Sequence, residues 1–163
     1  NDRIEMFEAN RYRLTNAVFR NAANGGFVDA SASAGLSAGP PRAHRGATVA
    51  DLNGDGRLDV VVTALGEPAE LWENTGAGGQ AWIRLRLEGT KSNRQGIGAI
   101  IRIGSQRNHM TTSFGYSSSS VEGVHFGLGK QERVGGIEIV WPSGTRQVLK
   151  EPEINRVITV REP

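Results

Sequence analysis

The sequence predicts an all-β protein made of two small modules, and three features of the chain support this prediction. Glycine is the commonest residue, with 22 copies among 163 residues, and the glycines separate short Val, Ile and Leu runs, as in strands joined by turns. Apolar Ile83, Leu85 and Leu87 alternate with polar residues, which is the period of a half-buried strand. Residues 58–63 form a second strand-like run, rich in β-branched side chains.

A short segment with a following pair of glycines occurs twice in the first half of the chain. Val-Phe-Arg-Asn at 18–21 precedes Gly25-Gly26, and Leu-Trp-Glu-Asn at 71–74 precedes Gly78-Gly79, an offset of 53 residues. Periods near 50 residues are typical of propeller blades, and one such blade cannot bury both faces of its sheet alone. Residues 1–79 are therefore predicted to be a β-propeller-type blade fragment, the end of one blade followed by a second blade.

Residues 80–163 are predicted to form a separate small β-sandwich or barrel. The strand at 83–87 is followed by short strand candidates spaced by glycine-rich turns, a pattern typical of these folds. These candidates are residues 97–103, 109–113, 124–128, 137–141, 146–149 and 157–160. Helix is expected only as single turns near residues 2–8 and 31–35.

Charge and composition exclude several classes of function. The net charge is +2, but residues 1–79 carry −3 and residues 80–163 carry +5. Because the basic residues form no cluster with aromatic side chains, we interpret them as outward-facing arginines on a solvated sheet and expect no nucleic-acid partner. The absence of cysteine excludes disulfides and thiolate metal sites. No apolar run approaches the ~20 residues of a membrane span, and no signal peptide is present in this chain.

The nine-residue loop 51–59 contains the most specific motif of the sequence. Side-chain oxygens recur at its positions 1, 3, 5 and 9, in Asp51, Asn53, Asp55 and Asp59. Arg57 at position 7 offers a backbone carbonyl, and Gly56 permits a sharp turn. Ca²⁺ takes six to eight hard oxygen ligands at about 2.3–2.6 Å, and alternate positions of a tight loop supply them. The loop is therefore predicted to bind Ca²⁺.

A plain hairpin turn is the alternative interpretation of this loop. Asn53-Gly54 and Asp55-Gly56 are both favoured turn dipeptides, but a turn requires neither Asp51 nor Asp59, and crowded carboxylates repel unless a cation neutralises them. Mg²⁺ suits the loop less, because it demands a more regular octahedron. The loop is not an EF-hand, since position 12 is Val62 and both flanks are strand-like.

Several segments of the chain also resemble a known family. Phe27-Val28-Asp29, residues 45–50, the loop and Val60-Val61-Val62 resemble an FG-GAP/VCBS repeat, the blade unit of integrin-type propellers. Residues 82–160 resemble an ASPIC/UnbV domain. The matching pieces are residues 89–94, 97–99, 113–116, 125–129 and 140–144.

The resemblance implies a C-terminal fragment of a cartilage acidic protein-like family, in which a calcium-decorated propeller precedes ASPIC/UnbV. It places metal ligands on Asp51, Asn53, Asp55, Asp59 and the backbone carbonyl of Arg57. It implies no enzymatic activity and an extracellular or periplasmic location. Because the earlier blades are not in this chain, the open edge of the blade fragment could self-associate. A protein or glycan is the expected partner.

Two other functions are weighed against this non-catalytic binding or scaffolding function. Carbohydrate binding could use Trp82, Trp141 or Tyr116. Trp141 is in phase with apolar core positions, and Trp82 is expected either to be exposed or to cover the junction with the repeat. Tyr116, in the glycine- and serine-rich loop, is the best candidate. A hydrolase could use serines 117–120 with His109 or His125, but no Gly-x-Ser-x-Gly elbow occurs. A polar serine loop and surface histidines explain these residues more simply.

Overall fold

The computed structural model describes residues 12–22, 25–76, 78–120 and 123–163, and its regular elements in these ranges are strands. The predicted all-β fold is confirmed. The twelve strands are β1 (Phe19–Asn21), β2 (Phe27–Asp29), β3 (His44–Ala50), β4 (Asp59–Ala64), β5 (Glu67–Trp72), β6 (Ala81–Glu88), β7 (Ile100–Ile103), β8 (Gln106–His109), β9 (Val124–Gly129), β10 (Gly136–Val140), β11 (Arg146–Lys150) and β12 (Arg156–Arg161).

The strands before residue 80 form a hairpin and a three-stranded antiparallel sheet. The hairpin pairs β1 with β2, and the sheet has the order β3-β4-β5. Between them the chain makes one helical turn at the expected place, with the Ala34 N–H donating to the Ala30 carbonyl at 2.9 Å. The other expected turn, at residues 2–8, lies outside the described residues. Each described sheet takes its strands from one side of residue 80, where the sequence analysis divides the chain.

The strands after residue 80 form two sheets with one shared hydrophobic core. The sheets have the orders β11-β10-β7-β8 and β12-β6-β9, and neither closes on itself. Alternate residues of β6, β7, β9 and β10 are buried in the core cluster, as the period of two requires. The arrangement is therefore a sandwich rather than a barrel. Strand β12 pairs with β6 in parallel, and this register decides which residues of the two strands lie side by side on the outer face of the sheet.

Two of the predicted strand ranges differ from the structure. The candidate at 97–103 begins only at Ile100, and the candidate at 109–113 is wrong, because β8 ends at His109. Gly104-Ser105 makes a two-residue hairpin that pairs Ile103 with Gln106, with Gly104 at φ 55°. So short a turn fixes the register and begins β8 three residues earlier than the sequence pattern indicated.

Candidate functional site

Two nearly buried carboxylates shape the loop between β3 and β4. Asp51 follows β3 directly, Asp59 begins β4, and they are 7% and 2% exposed. Asp51 accepts hydrogen bonds from the N–H groups of Gly54 at 2.8 Å and Gly56 at 3.1 Å. Asp59 accepts from Leu52 at 3.0 Å and from an N–H beyond β5 at 2.8 Å. The two side chains thus satisfy the backbone donors that a tight loop leaves unpaired.

The two exposed members of the predicted set each support the next turn of the loop. Asn53 accepts from the Asp55 N–H at 3.1 Å, and Asp55 accepts from the Arg57 N–H at 2.8 Å. Such turns are typical of Asn and Asp. Asp55 also forms an ion pair with the Arg57 guanidinium. The Arg57 backbone N–H is the main cause that lowers the pKa of Asp55, against a smaller opposing effect of desolvation.

Hydrogen-bond donors from the protein therefore surround the oxygens predicted to bind Ca²⁺. Within the described ranges no group of three or more His, Asp or Glu side chains is placed to hold a metal ion. Each carboxylate nevertheless offers about four lone-pair positions, and Asp59 uses two of them. The donor chemistry fits Ca²⁺, but the Arg57 guanidinium competes for Asp55. Ca²⁺ at this loop stays a prediction.

The loop also contacts the second module, a junction that the sequence indicated only through Trp82. The Arg84 guanidinium lies 3.4 Å from a carboxylate oxygen of Asp51, and Arg84 is only 7% exposed. His125 Nε2 donates to the Gly56 carbonyl at 3.0 Å. The prediction of an outward, solvated arginine is wrong for Arg84, because the loop covers the outer face of β6 at this point.

An indole ring forms the centre of this contact. Trp82 stacks on His125, with ring centroids 5.9 Å apart and planes at 9°. Gly56 lies so close that a Cβ there would stand 1.8 Å from Trp82 Nε1, and its φ is 86°. Burial is the main cause that lowers the pKa of His125, so the neutral ring donates through Nε2. Trp82 thus covers the junction with the repeat, one of the two positions expected for it, and alternation along β6 was the signal that could have added Arg84.

The glycine- and serine-rich loop of the second module, residues 115–120, makes another contact with the repeat. A Cβ on Gly46 of β3 would stand 2.6 Å from Ser118 Oγ and 3.0 Å from the Ser117 carbonyl oxygen. Beside these serines, Tyr116 is 72% exposed. Trp141, the other aromatic candidate, is 1% exposed and belongs to the core. The serine run thus packs against the repeat, while Tyr116 remains accessible.

Different family models match the earlier and the later part of the chain. The FG-GAP-like repeat model matches residues 3–62 and the FG-GAP repeat model matches residues 45–83. The model named ASPIC and UnbV matches residues 89–163. No helix among the described residues is long and apolar enough to cross a membrane.

Three curated relatives match this chain in sequence, and all are named cartilage acidic protein 1. The Mus musculus protein is 39% identical over 129 residues, the Xenopus tropicalis protein 30% over 129 residues, and the Homo sapiens protein 25% over 128 residues. Each alignment covers 72% of this chain, which spans about a fifth of each relative's length. The chain therefore consists of FG-GAP repeat sequence followed by an ASPIC and UnbV domain.

Proposed function

We propose that this chain is a non-catalytic binding or scaffolding module of an extracellular or periplasmic protein. In this proposal Ca²⁺ binds to loop 51–59 and stabilises the junction between the FG-GAP repeat and the ASPIC and UnbV domain. The observation that supports the proposal is the position of the loop. The same Asp51 that organises the loop backbone also contacts Arg84 of the second module. An ion bound to this loop would therefore act at the contact between the two modules.

The ligands of the proposed ion are the side-chain oxygens of the loop and one backbone carbonyl. They are Asp51, Asn53, Asp55, Asp59 and the carbonyl of Arg57. Ca²⁺ would supply a divalent charge among carboxylates that the protein otherwise neutralises with two guanidinium groups, those of Arg57 and Arg84. Extracellular modules bind Ca²⁺ with dissociation constants of about 10⁻⁴–10⁻³ M, so such a site fills outside a cell and empties in the cytosol.

Calcium calorimetry and thermal unfolding test this proposal. Ca²⁺ at a hundred times its dissociation constant is expected to add about 2.7 kcal/mol of stability, and excess EDTA to remove it. Asp55→Ala is expected to abolish the calorimetric signal. Asp55 is the suitable position because it is exposed and bonded only within the loop, so its loss perturbs the fold less than loss of Asp51.

Arg57→Gln is a matched variant with the opposite expected result. It keeps the backbone carbonyl but removes the guanidinium that competes for Asp55, so Ca²⁺ should bind a few-fold more tightly, the size of an exposed ion pair. Asp29→Asn, in the hairpin β1–β2, serves as the carboxylate control with unchanged affinity. No calorimetric heat and identical melting of wild type in EDTA and in Ca²⁺ would rule out the calcium part of the proposal.

The partner that we propose is a protein or a glycan. Carbohydrate binding is the second candidate function, and the 72% exposure of Tyr116 favours it, because an exposed aromatic ring can stack on a sugar face. A glycan array with wild type and Tyr116→Ala tests this function: loss of a reproducible signal in the variant supports it, and an empty array contradicts it. Self-association through β3 and β5, the edge strands of the described sheet, is tested by sedimentation across protein concentrations.

A further inference from the structure

A cavity of about 680 Å³ opens at the end of β6 that lies away from the calcium loop. Among the described residues, strand β9 pairs with β6 only as far as Leu85, so β9 does not extend along the last residues of β6. Leu87 and Met110 line the apolar part of the cavity, and Arg86, Arg94 and Arg161 line its polar part. The volume is in the range of pockets that take small organic ligands.

Strand geometry brings two of the three arginines together. Ile83, Leu85 and Leu87 face the core, so Arg86 and Glu88 face outward. In the parallel pairing of β12 with β6, Arg161 lies directly opposite Glu88. Cross-strand partners share a face of the sheet, and Arg161 therefore stands on the same outer face as Arg86.

The third arginine comes from a loop that the structure holds firmly. Arg94 accepts the Gly89 N–H through its carbonyl at 3.0 Å. The Glu162 carboxylate, 2% exposed, accepts three successive backbone N–H groups of this loop, from Thr90, Lys91 and Ser92, at 2.7–2.8 Å. The backbone that carries Arg94 is thus ordered before any ligand arrives, which reduces the entropy lost on binding.

The charges around the cavity are not balanced within the described part of the chain. Three arginines line it with one acidic residue, Glu88. In that part of the chain these arginines have no ion-pair partner, whereas Arg42 and Arg84 each lie within 4 Å of a carboxylate. Guanidinium groups held around one cavity repel, and an anion between them relieves that repulsion. Their planar donors match sulfate and carboxylate oxygens.

We propose that this cavity binds a small organic ligand with several anionic oxygen groups, sulfate or carboxylate, through Arg86, Arg94 and Arg161. Leu87 and Met110, which are 4% and 3% exposed, form the apolar floor beneath the ligand. The calcium loop contacts β6 at Trp82 and Arg84, which do not line this cavity, so we expect binding here not to require Ca²⁺.

Calorimetry with three probes tests the proposal: sucrose octasulfate, citrate and uncharged sucrose. We expect sucrose octasulfate or citrate to bind, with an affinity that falls as salt is raised, and sucrose not to bind. Binding of only one of the two anions would distinguish sulfate from carboxylate recognition. Arg86→Gln, Arg94→Gln and Arg161→Gln should each weaken binding about tenfold, the loss expected for a hydrogen bond to a charged group.

Arg146→Gln is the matched control, because this exposed arginine of β11 lies outside the cavity. The Arg146→Gln protein should bind the anions with the same affinity as wild type. Amide shifts of wild-type protein provide a second measurement in case a variant misfolds. The largest shifts should occur at Thr90, Arg94 and Arg161. If neither anion binds, if the three Gln variants bind like wild type, or if the shifts lie elsewhere, the proposal is wrong.

Discussion

The repeat before residue 80 and the sandwich after it are stabilised in different ways. In the described sandwich sixteen hydrophobic residues are buried, but in the described repeat only Ala43, Ala50 and Val62 are. Large apolar side chains of the repeat, such as Phe19, Phe27 and Leu71, are instead 59–70% exposed. This difference is expected where one unit closes its own core and the other is built to stack against neighbours.

Polar contacts contribute much of the stability of the repeat. Glu70 accepts hydrogen bonds from Asn16 at 2.6 Å, His44 at 3.1 Å and Trp72 at 3.0 Å. Burial opposes the ionisation of Glu70, but these hydrogen bonds outweigh it and lower its pKa. The comparison teaches that the repeat depends on directional contacts, including its junction with the sandwich, whereas the sandwich depends on apolar burial.

The largest expected effect is on the core of the sandwich. Ile83→Ala should cost about 2–5 kcal/mol, because Ile83 is fully buried and its truncation leaves a cavity. Leu71→Ala, an apolar truncation at a 68% exposed position of the repeat, should change stability by no more than about 0.5 kcal/mol. Urea unfolding measures both. Equal losses would show that the two modules are not stabilised differently.

The next effect separates the junction from the loop backbone. Gly54 and Gly56 both have positive φ, 79° and 86°, but a Cβ on Gly54 meets nothing within 4 Å. Gly54→Ala should therefore cost about 1–3 kcal/mol through backbone strain alone. Gly56→Ala should cost about 1–3 kcal/mol more, the usual cost of overpacking, since its Cβ collides with Trp82.

Urea unfolding gives the energies, and the NMR resonance of the Trp82 indole N–H reports the junction. Gly56→Ala should shift this resonance, and Gly54→Ala should leave it in place. A shift of equal size in both variants would mean that the loop does not contact Trp82 in solution.

The smallest expected effect concerns the carboxylate of Glu162, near the end of the sandwich. Burial raises the pKa of Glu162, but hydrogen bonds from Ser143, Ser92, Lys91 and Thr90 outweigh burial and lower the pKa from 4.5 to about 2. The stability that Glu162 contributes is thus fully present above pH 4.5 and is lost as the pH falls toward 2. Glu162→Gln should lower the melting temperature at neutral pH, and its difference from wild type should shrink between pH 4.5 and 2. A difference that does not vary with pH would contradict this assignment.

The sequence by itself determined the all-β class, a sandwich or barrel after residue 80, and the position of loop 51–59, and only the structure decided for the sandwich. Those features depend on local patterns, since alternation, turn dipeptides and oxygen spacing act over a few residues. The buried face of β6 could be read directly from Ile83, Leu85 and Leu87. The register of β8 could not, because a two-residue hairpin at Gly104-Ser105 overrode the propensities of residues 109–113.

Only the tertiary structure decided what the outer face of β6 contacts. Trp82, Arg84 and Arg86 share that face by alternation, yet Arg84 is buried against Asp51 while Arg86 lines an open cavity. The two arginines differ in environment for two reasons. Arg84 meets a loop whose Asp51 precedes it by 33 residues in the sequence, and Arg86 lies where β9 has already ended. Contacts between residues so distant along the chain leave no periodic trace in it, because they are set by how complete modules pack.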